Sequence, residues 1–79
     1  MDNHPDVWAP LERIAAAHPT VRPEQFMFMG YAKGVHRFKH VDTRRYLNLD
    51  THGRAFDYWP VTGNYTAADL ASAIAHAYS

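Results

Sequence analysis

Apolar residues recur with two different periods along this chain, and the change of period marks its elements. The first part has the period of a helix. Its apolar stripe comprises Val7, Trp8, Leu11, Ile14 and Ala15. We expect Asp6 to cap this helix and Trp8 or Ala9 to begin it, because Pro10 lacks an N–H and is tolerated only in the first turn. The helix should end before Pro19, since the residue preceding a proline disfavours helical backbone angles.

From residue 26 the period becomes two, which is the period of a β-strand. Four strands are predicted, with the sequences FMFMGYA (26–32), VHRFKH (35–40), RRYLNLD (44–50) and RAFDYW (54–59). Lys33-Gly34 suits a two-residue hairpin turn, because glycine readily adopts a positive φ. Pro60 and Gly63 then end the strand pattern.

A second helix is predicted near the end of the chain, with Thr66 as its N-cap and Asp69 at the positive end of its dipole. Its apolar face comprises Leu70, Ala71, Ile74, Ala77 and Tyr78. The predicted fold is a single small α+β domain over residues 1–79. It consists of an N-terminal helix, an antiparallel meander of four strands (or three) and a C-terminal helix. Because each helix has one apolar stripe, both are expected on the same face of the sheet.

Composition bounds the class of protein. Of the 79 residues, 47% are apolar and 14% aromatic, which is too rich for a disordered chain, although a domain of this size has a thin core. The chain has no cysteine, so disulfides and thiolate–metal sites are excluded. No signal peptide is visible and no apolar run approaches the roughly 20 residues of a membrane span. We therefore expect a soluble, cytoplasmic protein without membrane contact.

Charge is unevenly distributed, although the formal net charge is zero. Residues 33–45 contain five basic residues and one acidic residue, a net charge of +4, and the remaining residues carry −4. This basic region spans the predicted second strand, the turns on either side of it and the first two residues of the predicted third strand. An overall neutral protein with one basic region is not typical of a dedicated nucleic-acid binder, which is usually basic as a whole.

The two faces of the predicted sheet differ in character. Strict alternation assigns to the core face Phe26, Phe28, Phe38, Leu47, Leu49, Phe56 and Tyr58. The opposite face receives Met27, Met29, Tyr31, Arg37, Lys39, Arg44, Tyr46, Asn48, Asp57 and Trp59. On this second face aromatic side chains and methionines alternate with arginine and lysine, which indicates contact with a partner rather than a merely solvated surface. The predicted partner-binding residues are Tyr31, Arg37, Lys39, Arg44, Tyr46 and Trp59.

Three interpretations of this face stay open. A protein partner ranks first, because Tyr, Trp, Met and Arg are enriched at interfaces and the net charge is zero. That partner can be a second copy of the chain, since a homodimer would enlarge the thin core. Single-stranded nucleic acid ranks second, because bases stack on aromatic rings while basic side chains neutralise phosphates. The third is a buried face, since a shift of one residue in register turns a strand's side chains inward.

Catalysis and metal binding have weaker support. His36 and His40 lie four apart in a predicted strand, about 13 Å from each other, which is too far to share one metal ion. The residue types of a small ribonuclease-like toxin are supplied by either histidine together with Arg37, Lys39, Arg44 and Tyr46. Such residue types are common in a chain with six histidines. The sequence therefore predicts a non-catalytic binding or regulatory module with no cofactor and no metal.

Overall fold

A computed structural model describes residues 6–79 and shows an α+β fold with two α-helices and one five-stranded antiparallel sheet. The elements are α1 (Ala9–Ala17), β1 (Phe26–Ala32), β2 (Val35–His40), β3 (Tyr46–Asp50), β4 (Ala55–Trp59), β5 (Asn64–Ala67) and α2 (Leu70–Tyr78). A short 3-10 turn, Pro23–Gln25, precedes β1. The strands follow one another across the sheet in chain order, so the sheet is a meander, as predicted.

Helix α1 begins and ends where the prolines require. Pro10 lies in its first turn, where no N–H is needed, and His18 follows the last helical residue and precedes Pro19. The prediction of Asp6 as N-cap is wrong, because the N-cap position belongs to Trp8, which makes no side-chain capping bond. Asp6 instead stabilises the preceding turn, since its carboxylate accepts a hydrogen bond of 3.0 Å from the Trp8 N–H.

The fifth strand and the start of α2 correct the sequence prediction. Residues 64–67 form β5, which pairs antiparallel with β4, so the sheet has five strands rather than four. Thr66 lies in this strand and is not the N-cap of the second helix. Asp69 takes that role, and its carboxylate accepts a hydrogen bond of 3.0 Å from the Ser72 N–H. Asp69 was placed in the first turn by the sequence argument, so α2 begins later in the chain than expected.

The hydrophobic core consists of strand residues on one face of the sheet together with residues of both helices and of the segment before β1. Its buried residues are Leu11, Ile14, Val21, Phe26, Phe38, Leu47, Leu49, Ala55, Ile74 and Ala77. Both helices contribute to this cluster, with Leu11 and Ile14 from α1 and Ile74 and Ala77 from α2. Phe38 is fully buried at its centre, and the Trp8 ring packs against it at a centroid distance of 5.4 Å.

The two-residue turn between β1 and β2 is confirmed, but β1 contains a bulge that strict alternation does not take into account. Lys33 and Gly34 both have positive φ and connect the paired residues Ala32 and Val35. Phe28 pairs with Phe38, yet Gly30 pairs with Arg37, so Met29 is an extra residue. The bulge reverses the alternation beyond it.

Because of this bulge, Tyr31 lies on the core side of the sheet, where its ring packs edge-on against His36 at 4.8 Å. The prediction that it faces away from the core is wrong.

Strand β4 has the opposite facing from the one predicted. Leu49 pairs with Ala55 and Asn48 pairs with Phe56, so Ala55 takes the core position. Phe56 and Tyr58 therefore lie on the face away from the core, and Asp57 and Trp59 lie on the core side. The prediction assumed that the largest side chains point inward, whereas the register of β4 with β3 places the small Ala55 inward, where it is buried.

Helix α1 approaches the β3–β4 turn closely at Gly53. This residue has a φ of +83°, and a Cβ placed on it would lie 3.1 Å from Ile14 Cγ2 and 3.6 Å from Arg13 Cδ. Gly34, by contrast, has a φ of +77° and nothing within 4 Å of the equivalent position. Gly53 therefore serves both the turn and the packing of the helix against it.

This contrast predicts unequal costs for two alanine substitutions. Gly34→Ala is expected to lower the free energy of unfolding by about 1–2 kcal/mol, the cost of a positive φ for an L-residue. Gly53→Ala pays the same backbone cost and also crowds Ile14, which adds about 1–3 kcal/mol. Urea unfolding monitored by circular dichroism measures both values. Equal losses in the two variants would show that the contact between α1 and the turn is unimportant.

Candidate functional site

A cleft opens in the sheet where β3 and β4 separate. These two strands pair at only two positions, Asn48 with Phe56 and Leu49 with Ala55, and diverge beyond them. The cleft encloses about 940 Å³. It is lined by Arg37, Arg44, Arg45, Tyr46 and Asn48 on one side and by Phe56, Asp57, Tyr58, Trp59, Ala67, Ala68, Asp69, Ser72, Ala73 and His76 on the other. Its walls thus come from β2, β3 and the connection between them, from the β4–β5 hairpin, and from α2 and the residues just before it.

The β4–β5 hairpin bends over the face of the sheet that carries Arg37, Lys39, Tyr46, Asn48, Phe56 and Tyr58, which we call the outer face. The Lys33 ammonium donates a 2.7 Å hydrogen bond to the carbonyl of Gly63, which joins the β1–β2 turn to the β4–β5 turn. Val35 on this face is buried although it lies outside the core cluster. The outer face is therefore concave, and the cleft lies within this concavity.

The guanidinium of Arg37 lies between two tyrosine rings at the cleft. Its Cζ is 4.6 Å from the centroid of the Tyr46 ring and 4.7 Å from that of Tyr58. Both distances are in the range of cation–π attraction. Tyr46 comes from β3 and Tyr58 from β4, so Arg37 bridges the two strands where their backbones no longer pair. A second cation lies near the same ring, since the Lys39 ammonium is 5.8 Å from the centroid of Tyr46.

Two buried polar atoms in this cluster have no partner among residues 6–79. They are the Nε of Arg37 and the Oδ1 of Asn48, which belong to residues paired directly across β2 and β3. Asn48 is only 6% exposed, and its amide nitrogen donates a long hydrogen bond of 3.4 Å to the Phe56 carbonyl. Buried polar groups without partners are rare in folded proteins and concentrate where function requires them.

Positive charge predominates among the ionised groups of the cleft. Arg37, Arg44 and Arg45 line it, and none of the three forms an ion pair with any residue of the described range 6–79. Two carboxylates also line it. That of Asp69 accepts the capping bond of α2, and that of Asp57 accepts no hydrogen bond within residues 6–79. The arginines therefore leave uncompensated positive charge on the β2–β3 side of the cleft.

Four of the six predicted site residues line this one cleft, namely Arg37, Arg44, Tyr46 and Trp59. Arg44 lies in the β2–β3 turn with a φ of +66° and is not part of β3, which begins at Tyr46. Lys39 lies beside the cleft on the outer face. Tyr31 is separated from the rest, because the bulge in β1 places it on the core side.

Trp59 reaches the cleft from the core side, which differs from the predicted route. Its indole N–H donates a 2.8 Å hydrogen bond to the Thr66 hydroxyl, and this bond fixes a ring that is 53% exposed. Sequence reasoning missed Tyr58 because it assigned this residue to the core face, and it did not include Arg45 among the partner-binding residues. The signal that could have placed Tyr58 correctly was Ala55, the one small residue in a strand of large ones. If Ala55 is assigned to the core, alternation places Tyr58 on the opposite face.

The two histidines considered for catalysis are buried on the core side, away from Arg37 and Tyr46. The Nδ1 of His36 lies 3.1 Å from the Val7 carbonyl. The Nδ1 of His40 accepts hydrogen bonds from the N–H groups of Asp42 and Thr43, and so stabilises the β2–β3 turn. The structure therefore does not bring these histidines together with the basic and aromatic residues of the outer face.

Residues 6–79 contain no group of three His, Cys, Asp or Glu side chains that could hold a metal ion. Within the same range, no helix is long and apolar enough to cross a membrane. Comparison with known proteins adds no relative, since no protein-family model, no curated protein and no solved structure matches this chain.

Asp50 organises the β3–β4 turn below the cleft. Burial by itself would raise the pKa of its carboxyl, but hydrogen bonds outweigh burial and hold this pKa below the ordinary 3.8. The donors are the backbone N–H and the guanidinium of Arg54, at 2.9 and 2.7 Å, and the backbone N–H of His52 at 2.9 Å. The ionised carboxylate is thus the form that the folded protein stabilises.

This arrangement predicts an acid-dependent contribution to stability. A folded-state pKa below the unfolded value of about 3.9 stabilises the protein above that pH, and the contribution is lost as pH falls through the folded pKa. Asp50→Asn should therefore be less stable than wild type near about pH 6, and the difference should narrow toward about pH 3. Arg54→Met keeps both backbone donors and should remove only part of the effect. Urea unfolding across this range measures it, and a constant difference would contradict the role assigned to Asp50.

Proposed function

We propose that this chain is a small non-catalytic binding or regulatory module that engages a protein partner through the cleft between β3 and β4. The support is the residue content of that cleft, where arginine, tyrosine and tryptophan side chains converge on one concavity. These three residue types dominate the binding energy of protein interfaces. A concave surface with a few convergent polar groups is also the usual form of a recognition site.

The position of Arg37 between the Tyr46 and Tyr58 rings is the observation that carries this proposal. An arginine held in this way loses little side-chain freedom on binding, because its rotamer is already restricted by the two rings. Both tyrosines are half-buried, so they present rigid ring edges at low entropic cost. The cluster therefore has the properties of a preformed interface anchor.

A second copy of the chain is a further candidate partner, which would bind at the edge of the sheet rather than in the cleft. Strand β1 is an edge of the sheet, and along it Met27, Met29 and Tyr31 are 42%, 45% and 58% exposed. Exposed apolar side chains on an edge strand favour association with another chain. Tyr31, which lies apart from the cleft, would take part in binding at this edge.

Single-stranded nucleic acid is the alternative ligand, favoured by the presence of basic and aromatic side chains in the same cleft. The tyrosine rings weigh against it. Base stacking needs a free ring face, and in both Tyr46 and Tyr58 one face is covered by the Arg37 guanidinium. Trp59 alone among the cleft aromatics keeps a largely exposed ring. A protein ligand uses this surface more completely than a nucleic acid does.

Peptides selected from a random display library against the folded protein test the proposal. We expect selected peptides whose affinity falls at least about tenfold in Arg37→Ala and in Tyr46→Ala, the scale of an interface hot spot. Arg13→Ala, which changes an exposed arginine on α1, is the matched control and should bind normally. Fluorescence anisotropy gives the affinities, and circular dichroism confirms that the variants fold.

Two further measurements separate the alternatives. The first is the affinity for a 15-nucleotide oligothymidylate. If it binds more tightly than any peptide, and if the steep salt dependence of its affinity is lost in Arg37→Ala/Arg44→Ala, then the ligand is nucleic acid and not protein. Sedimentation equilibrium tests the second copy, because a dimer that dissociates in Met29→Asp/Tyr31→Ser would assign the β1 edge to self-association. Selected peptides that ignore both cleft substitutions would contradict the proposal.

A further inference from the structure

We propose that the segment recognised by the cleft is acidic and that one of its carboxylates pairs with the guanidinium of Arg37. This inference rests on the proposed function and specifies the chemistry of the ligand. Its starting point is a cation that is partly removed from water and has no counter-ion within residues 6–79. Removing a charge from water is costly unless an opposite charge compensates it. A partner's carboxylate supplies that compensation.

The two rings determine from which direction a ligand can reach Arg37. The centroids of the Tyr46 and Tyr58 rings lie 4.6 and 4.7 Å from Cζ of the guanidinium, and its Nε is buried. A ligand therefore approaches the two terminal nitrogens. A carboxylate accepts two parallel hydrogen bonds from these nitrogens, and a phosphate can do the same. The guanidinium thus requires an anion, and the neighbouring Asn48 determines which kind.

Asn48 adds a second requirement to the ligand. Its side chain is more than nine-tenths buried, lines the cleft and has an acceptor, Oδ1, without a partner in the described chain. Because Asn48 pairs directly with Arg37 across β2 and β3, a ligand bound to the guanidinium lies beside this acceptor. An acidic peptide offers a backbone N–H to it, whereas a phosphodiester backbone offers no donor.

Arg44 and Arg45 extend the same preference to neighbouring residues of the partner. Both are exposed and lie in the connection between β2 and β3, and both line the cleft that contains Arg37. Exposed charges contribute mainly to the rate of association and to the choice of partner, because salt screens them. The three arginines therefore favour a segment with several carboxylates, of which the one at Arg37 is the anchor.

A titration with defined peptides tests this inference. The probes are acetylated, amidated hexaglutamate and hexaglutamine, added to the isotope-labelled protein while the side-chain signals of Arg37 Nε–H and Trp59 Nε1–H are followed by NMR. We expect hexaglutamate to shift both signals and hexaglutamine to shift neither. Arg37→Gln should weaken hexaglutamate binding at least about tenfold, while the charge-matched Arg13→Gln changes it less than about twofold.

Other outcomes overturn the inference in distinguishable ways. Equal binding of hexaglutamine, or of library-selected neutral peptides that depend on Arg37, would refute the acidic ligand and leave the proposed function intact. Inorganic phosphate or oligothymidylate that shifts the same signals at lower concentration than hexaglutamate would refute the carboxylate. A cleft whose signals respond to no peptide, selected or synthetic, would refute the inference and the proposed function together.

Discussion

Alternation along the paired strands β2 and β3 is the constraint on which both the core and the cleft depend. Phe38 and Leu47 pair on the core side, and the adjacent pair Arg37–Asn48 points to the outer face. A shift of one residue would bury a guanidinium beneath the helices and expose the ring that lies at the centre of the core. The same register that stabilises the fold therefore presents Arg37 to the cleft, and neither feature can change without the other.

Local sequence patterns predicted correctly those elements in which the direction of the side chains depends only on the residues of the element itself. The Lys33-Gly34 turn, strand β2 and the outward position of Arg37 follow from alternation and from the tolerance of glycine for positive φ. Strict alternation takes no account of the bulge in β1, which changes the facing of every later residue in the strand, so Tyr31 was placed on the wrong side. In β4 the inward residue is Ala55, because the register pairs it with the buried Leu49. That register depends on the partner strand and cannot be seen in β4 itself.

The candidate site was predictable in its residue types and not in its shape. Arg37, Arg44 and Tyr46 were selected because basic and aromatic side chains alternate in one segment, and they do line the cleft. The cleft exists because β3 and β4 stop pairing after two positions, and strand sequences do not report where pairing stops. Tyr58, the second ring around Arg37, could be found only once this divergence and the facing of β4 were known.

The divergence also explains why an arginine lies between tyrosines at this point. Beyond the two paired positions, β4 has no hydrogen bonds to β3, and the contacts of Arg37 with Tyr46 and Tyr58 connect the strands instead. The tip of the β4–β5 hairpin is connected to the sheet by the hydrogen bond from Lys33 to Gly63, which is exposed to water. One wall of the cleft is thus a strand in the middle of the sheet, and the other is a hairpin whose first strand pairs with that strand at two positions. The guanidinium that contacts a ring from each wall is also the group to which the proposed ligand binds.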